Sequence, residues 1–350
     1  MGPMPRASVP LSGGFGLVQG RLRRARAGRE ALAAAPALLS GILAEIARQS
    51  GLPAEGWVVL RQALSGTQVV VMMVGPQGGE PAAVVKVPAT ADGVASQARE
   101  AAVLEALAGR PAPFRIPQRL AHGLVDGHAF VAEEAIPGVP GDGLMTGAAA
   151  TERLAGAAAT VVTEWHRATG EQVTVDAALL GHWVDERMAL VSPAVREPAL
   201  LERLGTVLRG AWEGREVSVS WVHGDFWPAN VLFEPVTLAV TGIIDWEWAA
   251  PRELPAHDLC YLLLQARMRA AGREFGPVVA ALLEGAAWSA AELAVLQAGG
   301  VISPGEAGPG RDILLLVWLR HVAYNLLQHP GDARNWLWTS RNVEPVLRRV

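Results

Sequence analysis

Short β-branched and apolar runs at Trp57–Leu60, Gln68–Val74 and Ala82–Val87 are separated by turn formers at Ser65-Gly66 and Gly75-Pro76-Gln77-Gly78-Gly79. This pattern predicts a small antiparallel sheet. A helical pattern follows from about Val94 to Leu107 and is closed by Gly109 and Pro111. Extended segments are expected at Pro117–His122 and His128–Glu133, after which Pro137-Gly138-Val139-Pro140-Gly141 reads as a linker. Beyond it the periodicity is mostly helical, interrupted by one hairpin inside Trp221–Trp248. Upstream, an Arg- and Ala-rich stretch predicts a helix from about Gly28 to Gln49. No internal repeat is evident. The order implies an N-terminal extension (1–50), a small β-rich lobe (51–136) and a larger, mostly helical lobe (137–350).

The hairpin carries the chemistry. The stretch WVHGDFWPANVLFEPVTLAVTGIIDWEW places His223, Asp225 and Asn230 on a short loop after an apolar run. Two β-rich segments, Val231–Phe233 and Val240–Ile244, flank a turn at Glu234-Pro235-Val236-Thr237, and Asp245 follows the second. Antiparallel pairing about that turn sets Asn230 opposite Asp245, so an amide oxygen and a carboxylate converge beside Asp225. Hard oxygen donors next to a carboxylate that can accept a hydroxyl proton suit a Mg-nucleotide site.

Composition narrows the setting. About half of the 350 residues are apolar and the net charge is −4. No basic block is large enough to hold a nucleic-acid backbone, so nucleic acid is not an expected partner. The longest apolar run, Ala31 to Ala47, is broken by Pro36 and Ser40 and carries Glu45, so no membrane span is expected and a cytoplasmic setting is inferred. Cys260 is the only cysteine, which excludes an intramolecular disulfide, and its apolar neighbours mark it as a buried hydrophobe.

Lys86 is the only lysine; every other basic side chain is arginine. In a chain so biased, a surviving lysine points to a position where a compact ammonium works and a planar guanidinium does not. It lies in the apolar strand Ala83-Val84-Val85-Lys86-Val87. Glu100, on the following helix, is the favoured partner. Glu105, five residues on, falls about 140° round the helix axis.

These residues resemble the aminoglycoside phosphotransferase and choline kinase family, a branch of the protein-kinase-like fold. The resemblance covers roughly residues 55–330. Its strongest elements are His223-Gly224-Asp225-Phe226-Trp227-Pro228-Ala229-Asn230 and Ile244-Asp245-Trp246-Glu247. The lone-lysine strand, Arg99-Glu100-Ala101-Ala102-Val103-Leu104, Glu133–Gly138 and Trp165-His166-Arg167-Ala168 support it. It implies a two-lobed α+β kinase-like fold and ATP- and Mg²⁺-dependent transfer of a γ-phosphate to a small-molecule hydroxyl, with GTP an open alternative donor. It further implies that Asp225 orients the hydroxyl, that Asn230 and Asp245 ligate Mg²⁺, and that Lys86, held by Glu100, meets the α- and β-phosphates. Glu134–Ile136 would offer backbone groups to the adenine, and His223 would brace the loop. Asp258 matches a carboxylate with a structural role. The loop Gln62–Gln68 has a single glycine, so Ser65 and Gly66 are candidate phosphate contacts or simply a hairpin turn.

The acceptor is less legible. An aminoglycoside calls for an acidic pocket and a quaternary amine for an aromatic cage; a sugar or amino alcohol stays open. The candidate wall comprises Trp246, Glu247, Trp248 and Glu253, then Trp318, Arg320, His321, Tyr324 and Asn325 on a late helix. Trp318, His321 and Asn325 fall at i, i+3 and i+7, the spacing of one helix face, which is also the spacing of a core face. The competing function is a nucleotide-binding regulatory or scaffold protein without transfer; the intact set Lys86, Asp225, Asn230 and Asp245 argues for the enzyme.

Overall fold

The computed structural model describes residues 36–53, 55–64 and 69–350, and the chain divides into two compact units. One takes the described residues up to Gln97 together with Arg119–Ala135; the other takes Ala98–Gln118 and Ile136–Val350.

The first unit is built on an antiparallel sheet of β1 (Trp57–Leu64), β2 (Val69–Pro76), β3 (Ala83–Pro88), β4 (Arg119–Val125) and β5 (His128–Glu134), in the order β1-β2-β3-β5-β4. In β3 the period-two rule sends Ala83, Val85 and Val87 to one buried face and Lys86 to the other. A helix, α1 (Pro36–Ser50), lays Leu38, Ile42 and Ile46 into one core with Met72, Val74, Val85 and Phe130. The i, i+4, i+8 spacing puts those three side chains on one stripe, and full burial of each contributes about 1.5–3 kcal/mol. Where α1 ends, the Gln49 side chain donates to the His122 carbonyl (2.8 Å) and accepts from its N–H (3.1 Å). It thus caps part of the edge strand β4, whose backbone groups would otherwise be open to pairing. The part of the predicted helix before Pro36 lies outside the described residues.

The second unit is mostly helical. A long helix, α2 (Ala91–Leu107), enters it after Gln97, and α3 (Ala148–Ala168), α4 (Pro198–Trp212), α5 (Ala256–Ala271) and α6 (Arg311–Gln328) form its body. Two three-stranded sheets are set among them: β6 (Val139–Pro140), β9 (Val231–Phe233) and β10 (Val240–Ile243) in the order β10-β9-β6, and β7 (Glu171–Thr174), β8 (Glu216–Val222) and β11 (Ala250–Glu253) in the order β11-β8-β7. The centre of the core is aromatic, with the rings of Phe114, Trp165 and Trp246 within 5.9–6.1 Å of one another. No helix among the described residues is long and apolar enough to cross a membrane.

One expectation is corrected, and one sheet was not anticipated. The segment Pro137–Gly141 is not a loose linker, because Val139 and Pro140 pair with Phe233 and Leu232. Its glycines answer close approach rather than flexibility: a Cβ on Gly141 would lie 2.5 Å from the Phe233 ring and 2.9 Å from the Pro228 carbonyl. The sheet β11-β8-β7 was also not predicted. In β7 only Val173 is even partly buried, so its four residues carry no alternation to read.

Replacing Gly141 by alanine is expected to lower stability by about 1–3 kcal/mol through overpacking. Gly143→Ala, where a Cβ meets nothing within 4 Å, should be near neutral. Thermal melts of the two variants check the contrast.

Candidate active site

Pairing of β9 with β10 places Val231 opposite Ile243 and Leu232 opposite Gly242, with an irregularity between Val240 and Gly242. Continued by one residue, the ladder bonds the Ile244 N–H to the Asn230 carbonyl at 2.9 Å. Asn230 therefore faces Ile244, one position short of the expected Asp245; without the irregularity the register would have set it against Ile243, so the bulge moves it one position towards Asp245. Asp245 itself takes a left-handed backbone conformation (φ 61°) and is exposed. Immediately after it Trp246 is fully buried, donating its indole N–H to the Ile243 carbonyl at 2.8 Å and packing 4.7 Å from the His223 ring. The buried indole turns inward and the carboxylate before it stays at the surface.

The loop before β9 is pinned from below. Asp258, on the first turn of α5, accepts from the backbone N–H groups of His223 and Gly224, each at 2.8 Å, and from His166 Nε2 at 3.0 Å. Burial works against its charge, yet donation from His166 and the backbone holds the Asp258 carboxyl below the usual carboxylate range. His223 bonds the Ile244 carbonyl through Nε2 (2.9 Å), while its Nδ1 accepts from the Asp225 N–H (3.3 Å). Only the tautomer with hydrogen on Nε2 satisfies both bonds. Gly224, at φ 83°, has no room for a Cβ, which would strike the Trp248 carbonyl and the Arg320 guanidinium.

These constraints gather three oxygen-bearing side chains. Asn230 Nδ2 donates to the Asp225 carboxylate at 3.0 Å and to the Asp225 carbonyl at 2.9 Å, which leaves its amide oxygen turned the other way. Burial pushes the Asp225 carboxyl above its ordinary range; His223 and hydrogen bonds from Tyr261 and Asn230 oppose this, and the nearby charge of Asp245 adds to it. Asp225 and Asp245 thus sense one another, with Asn230 bonded to the first. A partly exposed carboxylate beside a paired amide and a second carboxylate can accept a proton and hold a hard cation.

The model of the phosphotransferase enzyme family matches residues 60–294, about two thirds of the chain. The chain belongs to that family. Among solved structures, choline kinase from Cryptosporidium parvum is similar at 12% identity and a TM-score of 0.50, over 88% of this chain and 93% of that one. An aminoglycoside-3'-phosphotransferase of type VIII matches at 23% identity and a TM-score of 0.47, over 82% and 98%. The aminoglycoside phosphotransferase APH(3'')-Id from Streptomyces rimosus matches at 18% and 0.48, over 81% and 98%. No curated protein matches the chain. The phosphotransferase thus has the expected two-lobed α+β kinase-like fold.

The remaining predicted residues of this phosphotransferase fall as follows. Lys86 is buried, and its Nζ lies 3.0 Å from the Glu133 carboxylate. Lys86 faces Val131 across β3 and β5, so Glu133 is its diagonal neighbour on the same face. The sequence reading named Glu100, which is buried on α2 in the second unit, and missed Glu133 because strand register is not legible from composition. Glu134 and Ile136 straddle the boundary between the units. Ser65 and Gly66 lie outside the described residues.

The predicted acceptor wall is largely corrected. Trp318 is fully buried with its N–H on the Asn342 carbonyl (2.8 Å), and the His321 ring packs 4.0 Å from that of Phe275. Asn325, one turn further, is partly buried with its amide oxygen enclosed. That face of α6 is a core face. Trp246 belongs to the aromatic core, and Glu253 is buried against Arg187, His182 (3.0 Å), His257 (3.3 Å) and Arg320 (3.9 Å). Glu247 lies 3.5 Å from Arg99 and 2.9 Å from the Gln328 amide, and the Trp248 ring lies 4.6 Å from the Arg99 guanidinium and 5.0 Å from the Tyr324 ring. A cavity of about 620 Å³ opens on Leu263, Ala266, Arg267 and Ala270. Tyr261, which bonds Asp225, points from the opposite side of α5, so this cavity is not where an acceptor meets Asp225. Tyr261 itself was missed; its place one turn after Asp258 was the available signal.

Among the described residues no three His, Cys, Asp or Glu side chains cluster to hold a metal by themselves. The Asn230 amide oxygen and the Asp245 carboxylate still fit Mg²⁺, which takes one or two protein oxygens and completes its shell with phosphate and water.

Buried His257 and half-buried His321 give a pH signature. Burial pulls His257 down to about 4 against the pull of Glu253, and burial with the Arg320 charge pulls His321 down to about 4. Below their ordinary value of 6.5 the unfolded chain binds protons at these rings while the folded protein does not. Stability is therefore expected to fall as the pH drops from 6.5 towards 4, with His257 contributing on the order of 3 kcal/mol. His182, raised by its bond to Glu253, opposes this but is partly exposed. Urea unfolding at pH 7 and pH 4.5 measures the difference; equal midpoints would contradict it.

Proposed function

We propose that this phosphotransferase moves the γ-phosphate of ATP to a hydroxyl group of a small molecule with Mg²⁺ as the metal. The observation that supports this reading best is the Asp225–Asn230 bond at 3.0 Å beside the charge of Asp245. Phosphoryl transfer asks a protein mainly for positioning and charge neutralisation. Asp225 orients the attacking hydroxyl and takes its proton, which leaves late in a loose transition state, so an ionised carboxylate at hydrogen-bond distance suffices. Asn230 and Asp245 would hold Mg²⁺, which supplies neutralisation of the phosphate charge when bound.

In the same reading Lys86, steadied by Glu133 and by the family-implied Glu100, meets the α- and β-phosphates. Glu134–Ile136 offer backbone groups to the adenine, and Ser65 and Gly66 cover the phosphates. The acceptor carries little positive charge. Glu247 already faces Arg99 and Gln328, and Glu253 is buried among arginines, so neither carboxylate is left to attract a polycation. The Trp248 ring is already engaged by the Arg99 guanidinium and the Tyr324 ring, which leaves less of it to cage a quaternary amine. A sugar or another neutral hydroxylated compound fits best.

Asp225→Asn is expected to reduce transfer by about 10²–10⁴-fold while Mg-nucleotide binding persists; retained turnover would remove Asp225 from the mechanism. Asp245→Asn should instead weaken nucleotide binding only when Mg²⁺ is present. Calorimetry with and without the ion separates the two, and a panel of neutral and cationic alcohols tests the acceptor class.

A further inference from the structure

Arg320 is almost fully buried near the middle of the second unit, on α6. Its two terminal nitrogens reach two different backbones. Nη1 donates to the Gly224 carbonyl at 2.7 Å, and Nη2 donates to the Trp248 carbonyl at 2.8 Å. Gly224 immediately precedes Asp225, and Trp248 lies three residues beyond Asp245. Arg320 Nε lies 3.9 Å from the buried Glu253 carboxylate, and the guanidinium sits 4.5 Å over the Tyr324 ring. The planar group is thus held by two carbonyls, a carboxylate and a ring. Gly224 completes the fit, since any Cβ there would collide with the same guanidinium and the same Trp248 carbonyl.

We infer that Arg320 is a positioning residue: its guanidinium staples the Asp225-bearing loop to the segment after Asp245 and so sets the separation of the two carboxylates. This rests on the reading of Asp225 and Asp245 as the working pair. A guanidinium suits the task because its rigid fork presents two donors at fixed spacing, whereas a lysine ammonium is a point charge on a flexible stem. Arg320 and Asp225 feel one another's charge, but the staple reaches both carboxylates through backbone carbonyls. It fixes where they stand, and a displacement of about 1 Å costs on the order of 10²-fold in rate.

The test uses the full chain. Arg320→Lys keeps a positive charge beside Glu253 but reaches one carbonyl rather than two, and Arg320→Ala leaves a guanidinium-sized space. The lysine variant is expected to fold, with kcat lowered about 10²-fold and the KM for Mg-ATP changed far less. In the alanine variant, guanidinium ion well below denaturing concentration should restore part of kcat, while ammonium ion should not. Hydrogen exchange of peptides spanning 222–226 and 246–249 should quicken together in both variants. Wild-type kcat in Arg320→Lys, or unchanged exchange at either segment, would overturn the staple. If the wild-type protein itself transfers no phosphate while exchange still quickens at both segments, the phosphotransfer reading fails and the staple stands.

Discussion

A buried carboxylate shapes the loop that carries Asp225. Asp258 accepts from the consecutive amides of His223 and Gly224 and from His166, so the chain must turn sharply before Asp225. Buried charge is tolerable only when it is fully hydrogen-bonded. Here the bonds that satisfy the charge also determine the backbone. His223 extends the constraint by bonding the Ile244 carbonyl, and Asp245 follows that carbonyl directly. Loop and hairpin end thus share one hydrogen-bonded frame, rooted in a helix that carries neither Asp225 nor Asp245.

Around this frame the packing is arranged so that polar groups of the site need not compete with the core. Trp246 fills the interior beside Phe114, Trp165 and His223, and its burial turns Asp245 outward through a left-handed backbone conformation. A second buried carboxylate, Glu253, is matched by Arg187 and Arg320. Burial pushes its carboxyl up, but Arg187, His182, His257 and Arg320 together more than reverse that, so it stays ionised. The arginine chain of contacts runs from this ionic centre to the backbone at Gly224, just before Asp225, and at Trp248, after Asp245.

Much of this was legible in one dimension. That Asp225, Asn230 and Asp245 come together was readable because hairpin geometry is local: two short apolar strands about a turn bring their ends together whatever surrounds them. The lone lysine was readable because arginine bias made it conspicuous. The acceptor wall was misread for a definite reason. Trp318, His321 and Asn325 share a helix face, but spacing does not say whether a face meets solvent or another helix, and here it meets the core around Phe275 and Asn342. The segment Pro137–Gly141 was misread in the same way, since glycine marks both flexibility and close contact.

Local pattern along the chain was enough to specify the β-rich and helical order, the residue types gathered at the hairpin and the short-range pairing that unites Asn230 with the end of β10, because these depend on neighbours within about thirty residues. The tertiary structure alone decided which distant side chains hold that pairing in place. Glu133 against Lys86, Asp258 beneath His223, and Arg320 across Gly224 and Trp248 depend on strand register and helix packing. Those are set by the summed burial of many side chains, which no local pattern records.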